Sequence, residues 1–167
     1  MIDIDRLANA CCEHFAKCKS ASIACAFPVA VESWFRVELV SALMDVGVRQ
    51  ECVDFNYRYP GAGGKADLII RDADDSIIFE LKSFVCSADA KKIADFPFQI
   101  ERLQAQVDQD HATQAIAFCT FCGYGDRRLL ALSTQFFSSS WTTTPLRRLI
   151  INAPLQFLIG SFTRESR

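Results

Sequence analysis

Lys65-Ala-Asp-Leu-Ile-Ile70 and Ser76-Ile-Ile-Phe-Glu-Leu-Lys-Ser83 decide the fold of this chain. Ile, Phe and Leu dominate both runs, and Gly or Asp clusters bound them, so both read as strands. Between them Asp72-Ala-Asp-Asp75 is a polar turn. Folding back about Ala73 and Asp74 gives an antiparallel hairpin in which Asp67 lies opposite Glu80. A three-residue loop would shift that register. Side chains alternate faces along a strand, so Glu80 and Lys82 share one face while Phe79 and Leu81 point the other way. Opposed side chains stand roughly 4.5–5.5 Å apart at Cβ. Two carboxylates that close raise each other's pKa. A divalent cation between them removes the penalty, and carboxylate oxygens are what Mg²⁺ prefers. The competing reading is a surface hairpin with Glu80 and Lys82 on its wet face.

A third acid lies upstream, in Ser33-Trp-Phe-Arg-Val-Glu-Leu-Val-Ser-Ala-Leu-Met-Asp45. This stretch predicts a helix with an N-cap at Ser33 and Gly47 just past its end. The i±3 and i±4 neighbours of Glu38 are Trp34, Phe35, Ser41 and Ala42, none of them a cation. Glu32 has Arg36 four residues on, and Asp45 has Arg49, so those acids have surface partners. An unpaired carboxylate on a packing face is costly. Glu38 is therefore expected to be protonated, or to meet a metal or a distant base.

Taken in order, Glu38, Asp67 and Glu80-Leu-Lys82 resemble the PD-(D/E)xK nuclease superfamily. The resemblance runs from about residue 30 to Cys122 and departs at Ala66, where the family usually has proline. It implies a restriction-endonuclease-like α/β fold: a central mixed sheet with an antiparallel hairpin, flanked by helices. It further implies a nuclease that hydrolyses nucleic acid, DNA ahead of RNA, with Mg²⁺ or Mn²⁺. Asp67 and Glu80 would hold the metal, Glu38 would add a ligand directly or through water, and Lys82 would orient or activate the attacking water. The family also often places a glutamine or tyrosine of the following helix near the site. The alternative is a non-catalytic nucleic-acid- or protein-binding module on the same fold.

The rest of the chain supplies the context. Its 167 residues suit a single domain spanning 1–167, with 50% hydrophobic and 23% charged residues. No apolar run is long enough to span a bilayer, and the start Met-Ile-Asp-Ile-Asp-Arg lacks signal-peptide character. A cytoplasmic protein without membrane association is expected, with a homodimer or a protein partner left open. A helix is expected from Ile4 to about Lys19, with a connection ending near Pro28. Cys52–Tyr59 alternates as a half-buried strand, and Pro60–Gly64 is a turn. Ala88–Gln109 keeps Ile93, Phe96, Ile100, Leu103 and Val107 on one helical face. Pro97 there predicts a short helix, a break and a second helix. Ala115–Phe121 is nearly all apolar, the mark of a strand covered on both faces. A helix near Arg127–Phe137, a loop over Ser138–Pro145 and a last strand over Leu155–Phe162 follow.

Eight cysteines without a secretion signal argue against disulfides. Cys119-x-x-Cys122 is a single pair, and Cys11, Cys12, His14 and Cys18 could complete a zinc set only in irregular spacing. Small core thiols are the favoured reading, with His14 and His111 as surface or capping residues. The net charge of −2 is poor for a general nucleic-acid binder. Basic pairs at Lys91-Lys92, Arg127-Arg128 and Arg147-Arg148 can still bind phosphate locally.

Overall fold

The structure, a computed structural model, describes residues 1–20, 31–55, 57–60, 64–73, 75–85, 90–150 and 154–164. Among them four α-helices flank one mixed sheet: α1 (Ile4–Lys17), α2 (Val31–Asp45), α3 (Ala90–Asp108) and α4 (Asp126–Phe136). The strands are β1 (Val53–Asp54), β2 (Leu68–Asp72), β3 (Asp75–Val85), β4 (Gln114–Cys122), β5 (Thr142–Thr143), β6 (Arg147–Ile150) and β7 (Pro154–Thr163). They lie in the order β1-β2-β3-β4-β7-β5, with β6 also on β7. The first three form an antiparallel meander, β4 runs parallel to β3 after the crossover through α3, and β7 returns antiparallel to β4.

The hairpin takes the register with Asp67 beside Glu80. Leu68 pairs with Phe79, Ile69 with Ile78, Ile70 with Ile77, and Asp72 with Asp75. Ala73 opens the two-residue turn at φ +50°. A residue with a Cβ pays about 1–2 kcal/mol for that left-handed conformation. Apolar side chains on both faces of the hairpin hold the register against that cost. Along β3 the odd residues Ile77, Phe79 and Leu81 join the core beneath α1 and α2. The even residues Ile78 and Phe84 join the core beneath α3 and α4. Neither face of β3 is a wet face. All nine residues of β4 are buried, as its apolar run requires.

Several elements depart from expectation. Cys52–Tyr59 is not one strand. Gln50–Cys52 is a 3₁₀ turn, only Val53 and Asp54 pair with β2, and Phe55 is exposed. The register sets Phe55 opposite Leu68, the first residue of β2, but the β1 ladder ends at Asp54. Pairing resumes at Arg58 and Lys65. Ser33 is no N-cap, because α2 already runs from Val31. At the other end Gly47 behaves as expected, at φ +99°. Val48 N–H donates to Leu43 C=O and Gly47 N–H to Met44 C=O, which closes a Schellman cap. Pro97 does not divide α3, which continues from Ala90 to Asp108. Phe96, Ile100, Leu103 and Val107 are all buried along one side, and that stripe spans the missing amide. The Ser138–Pro145 loop contains β5, and β6 was not anticipated. Pro28, the tip of the Pro60–Gly64 turn, Asp74, Cys25 and Cys86 lie outside the described residues.

Gly160 of β7 is a test of this packing. A Cβ there would stand 2.4 Å from Cε1 of Phe137. Gly160→Ala is expected to destabilise the protein by about 1–3 kcal/mol through overpacking. The check is the urea midpoint, and truncating Phe137 in the same chain should recover part of the loss.

Candidate carboxylate and lysine site

Glu80 lies in the middle of β3 and is only 7% exposed. The regular β2–β3 ladder stops one residue short of it, and Asp67 takes over. Asp67 N–H donates to Phe79 C=O at 3.1 Å, while its Oδ2 accepts Leu81 N–H at 2.8 Å. The aspartate thus straddles Glu80, with its backbone bonded on one side and its side chain on the other. Its second oxygen, Oδ1, accepts from Arg36 Nη2 of α2 at 2.6 Å. Lys82, two residues beyond Glu80 on the same face, is half-buried. Among the described residues no hydrogen bond or ion pair engages its ammonium.

The charges of this cluster act on Glu80. Burial, then the neighbouring Asp67, pushes its pKa up to about 7, with Lys82 and Arg102 opposing and Glu32 adding to the rise. The phenol of Tyr59 is raised by burial and by Glu80, against the pull of Arg102. Arg102 of α3 stands over the Tyr59 ring, its guanidinium carbon 5.4 Å from the centroid. Three acids (Glu32, Asp67, Glu80) and three bases (Arg36, Lys82, Arg102) therefore act on one another here. Gln99, one turn before Arg102 on α3, has a buried Oε1 without a hydrogen-bond partner among the described residues. Gln106 of the same helix also has a buried Oε1 without a partner among the described residues, while Gln104 accepts from Trp141 Nε1.

Glu38 goes elsewhere. Its Oε2 lies 2.8 Å from His14 Nε2 and accepts from Cys18 Sγ at 3.2 Å, while Oε1 accepts from Ser20 Oγ at 3.2 Å. Burial alone would raise its pKa, but the bonds from His14, Cys18 and Ser20 outweigh that and lower it. The distant base that the sequence demanded is therefore His14, and the expected approach to Asp67 does not occur. The reason is helical phase. Phe35, Leu39, Ala42 and Leu43 form the buried stripe of α2, and Arg36 and Glu38 lie on opposite flanks of it. The Arg36 flank meets the hairpin and the Glu38 flank meets α1. Glu32, one turn before Arg36 on its own flank, is the α2 glutamate whose charge reaches Glu80. The expected local pairs Glu32–Arg36 and Asp45–Arg49 do not form: Arg36 pairs with Asp67 and Arg49 with Asp72 and Glu51. His14 is likewise no mere surface residue, since it bridges Glu38 and Asp45.

Well-formed clefts among the described residues lie away from this cluster, beside Met1 and Arg49 and along α1 at Glu13 and Lys17. Residues 61–63 and 86–89, which adjoin the cluster in sequence, lie outside the described set. No helix of the described residues is long and apolar enough to cross a membrane. Comparisons with protein-family models, curated proteins and solved structures return no match.

The raised pKa of Glu80 has a sign that can be checked. Its folded value of about 7 exceeds its ordinary 4.5. Between those values the folded chain keeps a proton that the unfolded chain releases, so stability falls as pH rises through the window and levels off above it. The total is on the order of 3 kcal/mol, at 1.36 kcal/mol per pKa unit. Denaturant titrations at pH 5 and pH 8 should show this fall in the wild type and a clearly smaller one in Glu80→Gln. Equal falls in both would remove Glu80 as the titrating group.

Proposed function

We propose that this chain is a metal-dependent nuclease of the PD-(D/E)xK type, with Asp67, Glu80 and Lys82 at its centre. The observation that carries the reading is the placement of Asp67 beside Glu80 at the end of the hairpin ladder, bonded to Phe79 and Leu81 on either side of it, with Lys82 on the Glu80 face. The element order supports it: a helix, an antiparallel hairpin, a crossover helix and a buried strand follow one another as the resemblance implies.

The residues present fit a divalent cation. Glu80 is a buried carboxylate with no hydrogen-bond donor among the described residues, and burial, with Asp67 second, raises its pKa to about 7. Hard oxygen donors of this kind suit Mg²⁺ or Mn²⁺. Asp67 and Glu80 would hold the ion; Glu32 does not converge with them as a third ligand, and its charge acts on Glu80 from farther off. When bound, the cation supplies Lewis-acid polarisation of a scissile phosphate and acidifies an attacking water. Lys82 donates to that water or to the phosphate oxygens and offsets the charge that develops there. Arg36, on yielding Asp67 Oδ1, is left beside the phosphate, where a planar guanidinium binds two oxygens at once. Arg102 adds positive charge from the α3 side.

One feature favours the alternative, a non-catalytic binding module. Both Asp67 oxygens are already engaged, by Arg36 and by the Leu81 amide, so the pair could serve structure alone. Cleavage separates the two. Supercoiled, linear, branched and single-stranded DNA, and RNA, would be incubated with the protein in Mg²⁺, Mn²⁺ or EDTA. Cleavage is expected with either metal and none in EDTA. Lys82→Ala should lower the rate by about 10²-fold or more with folding and metal binding kept. Asp67→Ala should lose both cleavage and calorimetric Mg²⁺ binding. Wild-type protein inert on every substrate, and binding no metal, would leave the module reading in its place.

The same assay distinguishes the two glutamates of α2. Glu32→Gln is expected to slow cleavage or weaken Mg²⁺ binding by about tenfold, as for a charge acting from outside the ligand set. Glu38→Gln is expected to leave both within twofold, and the reverse result would return Glu38 to the site.

A further inference from the structure

We propose that His14 Nε2, Cys18 Sγ and Glu38 Oε2 form a second metal site, one that takes Zn²⁺ and clasps the end of α1 to α2. This inference does not depend on the nuclease reading, since the cluster lies on the opposite flank of α2 from Arg36 and Asp67.

The geometry carries it. The three ligand atoms all lie within 4.8 Å of one another. Nε2 of His14 is 2.8 Å from Glu38 Oε2, and Cys18 Sγ is 3.2 Å from the same oxygen. Around a tetrahedral zinc with bonds of roughly 2.0–2.3 Å, ligand atoms stand roughly 3.3–3.8 Å apart. Only small outward shifts separate the present cluster from that arrangement. His14 and Cys18 are four residues apart at the end of α1, so both project from one side of it. Glu38 arrives from α2, which makes the site a cross-link between the helices. Phe15, between the two α1 ligands, already packs its ring 5.8 Å from those of Trp34 and Phe35 of α2.

The surroundings look like those of metal ligands. Nδ1 of His14 faces Asp45 Oδ2 at 3.6 Å, so a carboxylate stands behind the imidazole as it does in zinc sites. The other Glu38 oxygen accepts from Ser20 Oγ, which in turn accepts from Trp34 Nε1 at 2.9 Å. That chain fixes the carboxylate's orientation. The Cys18 thiol meets the same carboxylate oxygen that His14 meets, so all three ligand atoms face one point. A nitrogen, sulfur and oxygen set suits Zn²⁺ and not Mg²⁺ or Ca²⁺, which take oxygen. The residues are half-buried, so solvent can fill a fourth position. On binding, the Cys18 S–H bond breaks, an Sγ–Zn bond forms and the proton passes to bulk solvent. His14 binds through neutral Nε2 and keeps its hydrogen on Nδ1, toward Asp45.

The test uses the full chain, freed of metal by a chelator and titrated with Co²⁺ as a spectroscopic stand-in for Zn²⁺. Wild-type protein should develop tetrahedral d–d absorption with a thiolate-to-cobalt charge-transfer band at one ion per chain, and Zn²⁺ should bleach it. Zn²⁺ should also raise the thermal midpoint by several degrees. Cys18→Ser should lose the charge-transfer band, whereas Cys12→Ser and Asp67→Ala should keep it. Glu38→Gln, which is isosteric, should weaken the ion by at least tenfold even if Cys18→Ser folds poorly. A wild-type chain without the charge-transfer band, or a band that survives Cys18→Ser, would overturn the proposal.

Discussion

A carboxylate in the middle of a strand buried on both faces is the constraint around which the rest is arranged. Glu80 has Phe79 and Leu81 as chain neighbours, and both are fully buried. Ionising it there is costly, and Asp67 adds like charge to the cost of burial. The fold answers with cations from three elements: Arg36 from α2, Lys82 from β3 itself and Arg102 from α3. Arg36 neutralises Asp67 directly, and the other two act on Glu80. Hydrophobic packing could have filled the position of Glu80 at no such cost. The structure keeps this buried acid amid compensating charges from three elements.

Local balance also answers the objection raised by the overall charge. The chain is acidic by two charges, yet its three site acids face three site bases. A divalent ion added to that set would leave an excess of positive charge where a phosphate would sit. Net charge governs steering at long range, but salt screens it over about 8–10 Å. On the proposed reading a phosphodiester would meet the cluster at contact, so the overall charge is a weak argument against it.

The hairpin was legible because two independent signals agreed, an apolar run of the right length on each side and a polar turn between them. Burial on both faces of β4 was legible for a similar reason, since Ala115–Phe121 offers no polar face at all. The misreadings share a cause. Pro97 was read as a break from its local cost, but Phe96, Ile100, Leu103 and Val107 pack as one stripe through it, and that energy is tertiary. Arg36, four residues from Glu32, suggests a local partner for it, but Arg36 bonds an aspartate 31 positions on. Glu38 was chosen for its lack of helical partners. That test detects an acid in need of a base but cannot say on which flank the base lies. The signal that could have corrected it was present, since Glu32 and Arg36 share one flank of the apolar stripe and Glu38 lies on the other. Knowing which flank meets the hairpin still requires the tertiary arrangement.

Helix α2 is consequently the element on which both polar clusters depend. Its apolar stripe is seated in the core, with Phe35 4.6 Å from Phe118 of β4 and 5.8 Å from Phe15 of α1. That seating fixes the rotation of the helix about its own axis. The same rotation carries Arg36 to Asp67 on one side and Glu38 to His14 and Cys18 on the other. A turn of the helix that improved one set of contacts would pull the other apart, because the two flanks move together on a rigid cylinder. The two clusters share the orientation of one helix, and the packing of Phe35 and Leu39 sets it.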